Sequence, residues 1–131
     1  MPAKPNQLPR PTDAELEILT VLWSLGPSTV RDVHETITRR KPMQYTTVLK
    51  MLQIMAEKGL VERNEEQRAH IYSASRPREW TQQQLAGDLL QRAFGGSAKS
   101  LMLGALSAQP ASRQELAELR QFLEQYEKGT L

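Results

Sequence analysis

Residues 44–59, QYTTVLKMLQIMAEKG, carry two opposed faces at helical spacing. At about 100° per residue, Val48, Met51, Leu52 and Met55 fall on one stripe, while Thr46, Thr47, Lys50 and Gln53 gather on the other. The apolar stripe needs a core. The polar one, made of groups that can all hydrogen-bond, is free to meet a surface. Residues 36–56 contain no carboxylate, and Arg39, Arg40, Lys41 and Lys50 supply their charge. The surface that suits this helix is therefore anionic, and nucleic acid is the first candidate.

A chain of 131 residues that is 39% hydrophobic can hold one compact domain, or a small domain with an oligomerisation appendage. The net charge is only +2, but it is unevenly placed: residues 1–80 hold 12 Lys/Arg against 10 Asp/Glu, and residues 81–131 hold 5 against 5. A polyanion site accordingly belongs to the first part. Without cysteine there are no disulfides or thiolate metal sites, which fits a reducing compartment. The opening MPAKPNQLPRP lacks the apolar core of a signal peptide, and no run approaches the roughly 18 residues of a membrane span. The expectation is a soluble, cytoplasmic protein.

Four prolines make residues 1–11 an extended, flexible tail whose only charges are Lys4 and Arg10. Thr12 and Glu15 then form a capping box, and Leu16, Leu19, Leu22 and Trp23 trace one face of a first helix that Gly26-Pro27 ends. Thr29 and Asp32 open a second helix, with Val30, Val33, His34 and Ile37 at i, i+3, i+4 and i+7. It stops near Arg40, before Pro42, and the two-faced third helix ends at Gly59. The period then changes. Residues 60–63 and 70–74 are short β-prone runs around a turn-rich 64–68, with Arg63 and Arg68 near the tip. Three helices and a hairpin make a winged helix-turn-helix.

Beyond Pro77 the pattern is helical again. Trp80, Leu85, Leu89 and Phe94 mark a fourth helix closed by Gly95-Gly96, and Leu101, Met102, Ala105 and Leu106 mark a fifth. In a sixth, capped by Ser112 and Glu115, Leu116, Leu119, Leu123 and Tyr126 follow the 3-4-3 spacing of a coiled-coil seam. A seam this short on a segment without a core of its own needs a partner, and a second copy of the chain is the economical one. Leu85, Leu89, Phe94, Leu101, Leu116, Leu119, Leu123 and Tyr126 are the candidate dimerisation residues.

The N-terminal half of a recognition helix is the part that reaches base edges. Thr46 and Thr47 offer a hydroxyl to a phosphate or base and a methyl to thymine, Lys50 reaches guanine or a phosphate, and Gln53 addresses adenine. Thr46 and Thr47 would serve equally well as helix caps, and Tyr45 either touches a phosphate or packs as a staple. Arg39, Arg40 and Lys41 form a basic turn that meets the duplex backbone or is merely solvated. Arg63 and Arg68 suit the backbone or the minor groove, in a field weakened by Glu62, Glu65 and Glu66. His34 shares an apolar stripe and reads as a packed, hydrogen-bonded histidine, whereas His70 has no companion at metal-ligand spacing. No nucleophile motif, phosphate-cradling loop or metalloprotease signature occurs, so neither an enzyme nor a cofactor is expected.

The opening helix PTDAELEILTVLW, the stretch YTTVLKMLQIMAEKGLV, the wing VERNEEQRAHIYSA, and FGGSAKSLMLGAL running into ELAELRQFL together resemble the BlaI/MecI/CopY, or penicillinase-repressor, family of bacterial regulators. The resemblance spans residues 8–126. It implies an N-terminal winged helix that binds DNA, a C-terminal region that interlocks two subunits, and a palindromic operator built on TACA and TGTA half-sites. In the penicillinase repressors a membrane-bound sensor-protease system leads to cleavage at an Asn-Phe bond of the fifth helix, but the matching residues here are Gly104 and Ala105. Control by that cleavage is not carried over, and the sequence identifies no regulatory protease. The copper-responsive branch uses cysteines, which this chain lacks. Many relatives also carry Arg where Ile54 stands, which bears on the target sequence.

The expected architecture is mainly α with a small β-hairpin: a flexible tail over 1–11, a winged-helix DNA-binding domain over 12–77 and a helical dimerisation region over 78–131. The expected function is that of a homodimeric repressor that binds double-stranded DNA at a palindromic operator, in an antibiotic or cell-wall stress response and without membrane association. A winged helix used as a protein-interaction module and a small-molecule-responsive regulator are the alternatives.

Overall fold

In the computed structural model, which describes residues 9–130, the first two helices start where side chains replace missing backbone partners. Helix α1, Asp13–Leu25, opens on a reciprocal box: the Glu15 amide donates to the Thr12 hydroxyl (3.2 Å) and the Thr12 amide to Glu15 Oε1 (2.9 Å). Helix α2, Val30–Thr38, repeats the device with Thr29 and Asp32, both bonds being 3.1 Å. Helix α3, Tyr45–Lys58, follows Gln44, whose side chain makes no capping bond, and closes on Gly59 in the left-handed region at φ 82°. That conformation favours glycine, because a Cβ would crowd the following carbonyl.

The three helices bury Ile18, Leu19, Val21, Leu22, Val30, Val33, Ile37, Val48, Leu52 and Met55 in one core, joined by Leu60, Val61 and Tyr72 from the segment that follows. The buried side of α1 is shifted from the expected one. Ile18 and Val21 are buried, whereas Leu16 and Trp23 are only half-buried. The helix packs on α2 on one side and on the hairpin on another, so its apolar face is broader than a single stripe. Strands β1, Val61–Asn64, and β2, Ile71–Ala74, pair antiparallel with Val61 opposite Ala74 and Asn64 opposite Ile71. Ser28 adds an isolated bridge: its amide donates to the Tyr72 carbonyl (2.9 Å) and its carbonyl accepts from the Tyr72 amide (2.7 Å). A one-residue strand has no periodicity, so the sequence does not announce it.

Helices α4, Arg78–Ala93, α5, Ala98–Ala108, and α6, Arg113–Lys128, complete the chain. The described residues divide into two compact units, one up to Leu85 and one from Ala86, so the division falls within α4 rather than at its start. In the first unit the Trp23 indole Nε1 donates to the Arg76 carbonyl (3.0 Å), Arg78 lies 5.9 Å from the Trp23 ring and Arg76 5.0 Å from that of Trp80. In the second unit, Gly95 and Gly96 (φ 57° and 80°) turn the chain, Ser97 caps α5 and Ser112 caps α6. A Cβ on Gly104 would stand 3.3 Å from the Phe94 ring, so the glycine permits the close approach of the two. The proline-rich tail expected over 1–11 lies mostly outside the described residues.

Candidate nucleic-acid interface

Helix α3 sorts its residues as its two-faced pattern demands. Val48, Leu52 and Met55 are fully buried, and Tyr45, Thr46, Thr47, Lys50 and Gln53 are exposed. Thr46 and Thr47 lie inside the helix, and the residue at its cap is Gln44, so neither threonine is occupied in capping. Ile54 is exposed beside them, an apolar group on a polar face. Tyr45 sets its ring edge-on to His34 at 5.7 Å, and His34 Nε2 donates to the Met43 carbonyl at 2.8 Å. The histidine of the apolar stripe is thus packed and hydrogen-bonded, and it holds the turn that leads into α3.

The cations differ in how far they are committed within the fold. Arg39 and Arg40 are exposed in the turn after α2, Lys50 on α3 and Arg68 at the wing tip, and none has a carboxylate at ion-pair distance among the described residues. Lys41 has a loose partner in Glu17 at 3.9 Å. Arg63 is paired with Glu65, and the Tyr72 hydroxyl and the Glu65 carboxylate beside it raise its pKa. Two clefts connect α3 with the wing. Tyr45 and Leu49 share one of about 450 Å³ with Thr29, Arg31, Arg68 and His70, and Gln53 shares one of about 1090 Å³ with Glu57, Glu62, Arg63 and Glu65. Arg31 was not a candidate from the sequence. Only the fold carries the first turn of α2 to the wing tip, and an i,i+4 pair with Glu35 at 3.1 Å disguises it as a solvated helix charge.

One charged group is hidden. Glu15 is 5% exposed and accepts from Lys58 Nζ on both oxygens, at 3.1 and 2.9 Å, as well as from the Thr12 amide. Burial pushes its carboxyl up, but the Thr12 amide and the Lys58 ammonium outweigh that and hold it below the ordinary 4.5. From the sequence Glu15 reads only as part of a helix cap, because its partner is 43 residues away.

The second unit presents the opposite chemistry. No described residue from Ala86 onward is fully buried. Of the candidate dimerisation residues, Leu89, Leu123 and Tyr126 are exposed and Phe94, Leu101, Leu116 and Leu119 half-buried, as is Leu85 at the end of the first unit. Met102, Leu103, Leu106 and Phe122, which are outside that set, are exposed too, and Phe122 stacks on Tyr126 at 6.3 Å between ring centres.

A family model described as penicillinase repressor matches residues 11–125. The chain belongs to the penicillinase repressor family. It is 36% identical over 121 residues to the transcriptional regulator BlaI of Mycobacterium tuberculosis, covering 86% of this chain and 87% of that one. Against the penicillinase repressor of Bacillus licheniformis it is 25% identical, over 92% of this chain and 94% of the relative. The solution structure of the DNA-binding domain of the repressor BlaI superposes with a TM-score of 0.51 at 23% identity, covering 56% of this chain and 90% of that domain, which supports the winged-helix fold. That of Bacillus licheniformis BlaI in complex with the blaP half-operator gives a TM-score of 0.50 at 23% identity, over 56% of this chain and 90% of that one. The family is one of BlaI-type, DNA-binding transcriptional repressors rather than of enzymes, as the sequence resemblance implied. Among the described residues no helix is long and apolar enough to cross a membrane.

Proposed function

We propose that the chain acts in the cytoplasm as a homodimeric repressor that occupies a palindromic operator, with one winged helix on each half-site. The observation that carries this is the outward face of α3, where Thr46, Thr47, Lys50 and Gln53 are exposed within a stretch free of carboxylates. Laid in a major groove, that face offers threonine methyls to thymine, Gln53 to an adenine edge and Lys50 to guanine or phosphate. Arg39, Arg40, Lys41 and Tyr45 lie at the start of the helix and Arg63 and Arg68 on the wing, where they meet phosphates and so set register without specifying sequence. The BlaI half-operator complex is a relative's precedent for such docking.

Dimerisation is supported by the exposed Leu89, Leu103, Phe122, Leu123 and Tyr126 of a unit that buries none of its described residues fully. Two coupled heads raise operator affinity, because the second half-site is engaged at high effective concentration, and half-sites lie about 10 base pairs apart or a multiple of that. The regulated process is an antibiotic or cell-wall stress response. Cleavage at an Asn-Phe bond is not carried over as the release step, since α5 has Gly104-Ala105 where the family resemblance implies that pair.

The test is recovery and sequencing of sheared genomic DNA bound by the full chain at about 150 mM salt, where non-specific binding is weak. Enrichment of a short palindrome upstream of one or a few genes is expected. An absence of any enriched motif refutes operator reading and favours a protein-interaction role for the same helix face.

A further inference from the structure

A recognition helix must be aimed as well as exposed, and α3 lacks the means its neighbours have. Helices α1 and α2 begin on reciprocal capping boxes, whereas α3 begins without a side-chain cap. Beyond the core packing of Val48, Leu52 and Met55, it is held by polar tethers from other elements, one at each end. At its start, His34 of α2 donates to the Met43 carbonyl at 2.8 Å and meets the Tyr45 ring edge-on. At its finish, Lys58, the last residue of α3, places its ammonium 3.1 and 2.9 Å from the two oxygens of the buried Glu15 of α1.

The second tether is directional. The same carboxylate accepts from the Thr12 amide at 2.9 Å, so it cannot follow Lys58 without opening the box that starts α1. Rolling α3 by one residue would carry Lys58 about 100° away from it. Stability alone does not account for such a pair: Glu15 is buried and Lys58 half-buried, and well-packed apolar residues often replace a desolvated ion pair at no loss. A pair of fixed geometry between two helix ends does limit rotation of the one that carries Thr46, Thr47, Lys50 and Gln53.

We propose that Glu15, Lys58 and His34 are positioning residues that set the angle at which α3 is presented, and through it the discrimination between operator and other DNA. The inference rests on the operator-reading function proposed above. All three act through the placement of α3, with no base contact of their own.

The test compares the full chain with Glu15→Gln/Lys58→Met, which removes both charges together, with His34→Phe, and with Lys58→Arg, which preserves the pair. The probes are the duplex most enriched from genomic DNA and a scrambled duplex of equal length and composition. Binding is read by fluorescence anisotropy over a salt series, and folding by thermal melts. The expected result is that the double variant and His34→Phe melt cooperatively, bind the scrambled duplex as the wild type does with the same salt slope, and lose about tenfold or more of the specific-to-scrambled ratio. Lys58→Arg retains most of that ratio.

An unchanged ratio in a folded double variant and in His34→Phe overturns the proposal. So does a parallel loss on both duplexes with a salt slope flattened by about 0.9 for each Lys58 removed, since that marks Lys58 as a phosphate contact. If the double variant does not fold, His34→Phe decides. A wild type that does not distinguish the two duplexes refutes operator reading itself, a result separate from loss of discrimination in the variants alone.

Discussion

The salt dependence of DNA binding follows from which cations the fold leaves uncommitted. Each phosphate neutralised by a protein cation releases counterions and contributes a slope of about −0.9 to log K against log salt. Arg39, Arg40, Lys50 and Arg68 have no carboxylate partner among the described residues, whereas Arg63 is paired with Glu65. An ion pair brings almost no net charge to the duplex, so Arg63 displaces few counterions even where it lies close. With Lys41 left out because Glu17 lies 3.9 Å from its ammonium, those four cations give a slope of about −3.6 per head, or about −7 for two heads on one operator. Substituting Arg68→Gln in both subunits should flatten it by about 1.8, and Arg63→Gln should change it by well under half of that. Anisotropy titrations of a labelled operator duplex between about 50 and 200 mM salt measure all three slopes. Equal flattening by Arg63→Gln and Arg68→Gln would show that pairing within the wing does not govern which cations meet phosphate, and the reasoning would fall.

Three further outcomes are expected. Leu52, which is fully buried, ties α3 to the core, and Leu52→Ala should destabilise by about 2–5 kcal/mol, seen as a lower urea midpoint at unchanged m. The folded-state pKa of Glu15 lies below its unfolded value, so its ionised form adds stability above about pH 4.5; this is lost as pH falls through the lowered value, and Glu15→Gln should remove that acid-limb dependence from pH-resolved melts. A chain ending at Leu85 keeps every fully buried residue among those described and should unfold cooperatively, yet bind a two-half-site duplex on the order of 10²-fold more weakly than the full chain, whereas equal affinity would refute the dimer.

Local signals are what the sequence carried well. The boxes Thr12/Glu15 and Thr29/Asp32 and the closing Gly59 appear where the sequence placed them, because a cap is decided within four residues. The hairpin was legible to within one residue at its ends, since period-two runs around a turn survive their surroundings. The outward residues of α3 followed from its two-faced spacing, and the half-buried or exposed leucines Leu116, Leu119 and Leu123 of α6 from a seam without a core.

The sequence by itself determined the order of elements, the face of α3 that stays outside and the family. Each of these rests on residues close together in the chain, or on a pattern repeated along it. Tertiary structure alone decided that Ile18 and Val21 go inward in place of Leu16 and Trp23, that Ser28 pairs with Tyr72, that Arg31 reaches the wing, and that Lys58 finds Glu15. Those outcomes depend on groups far apart in sequence arriving at one place. Helical or strand periodicity says which way a side chain points, and only packing says what it meets there.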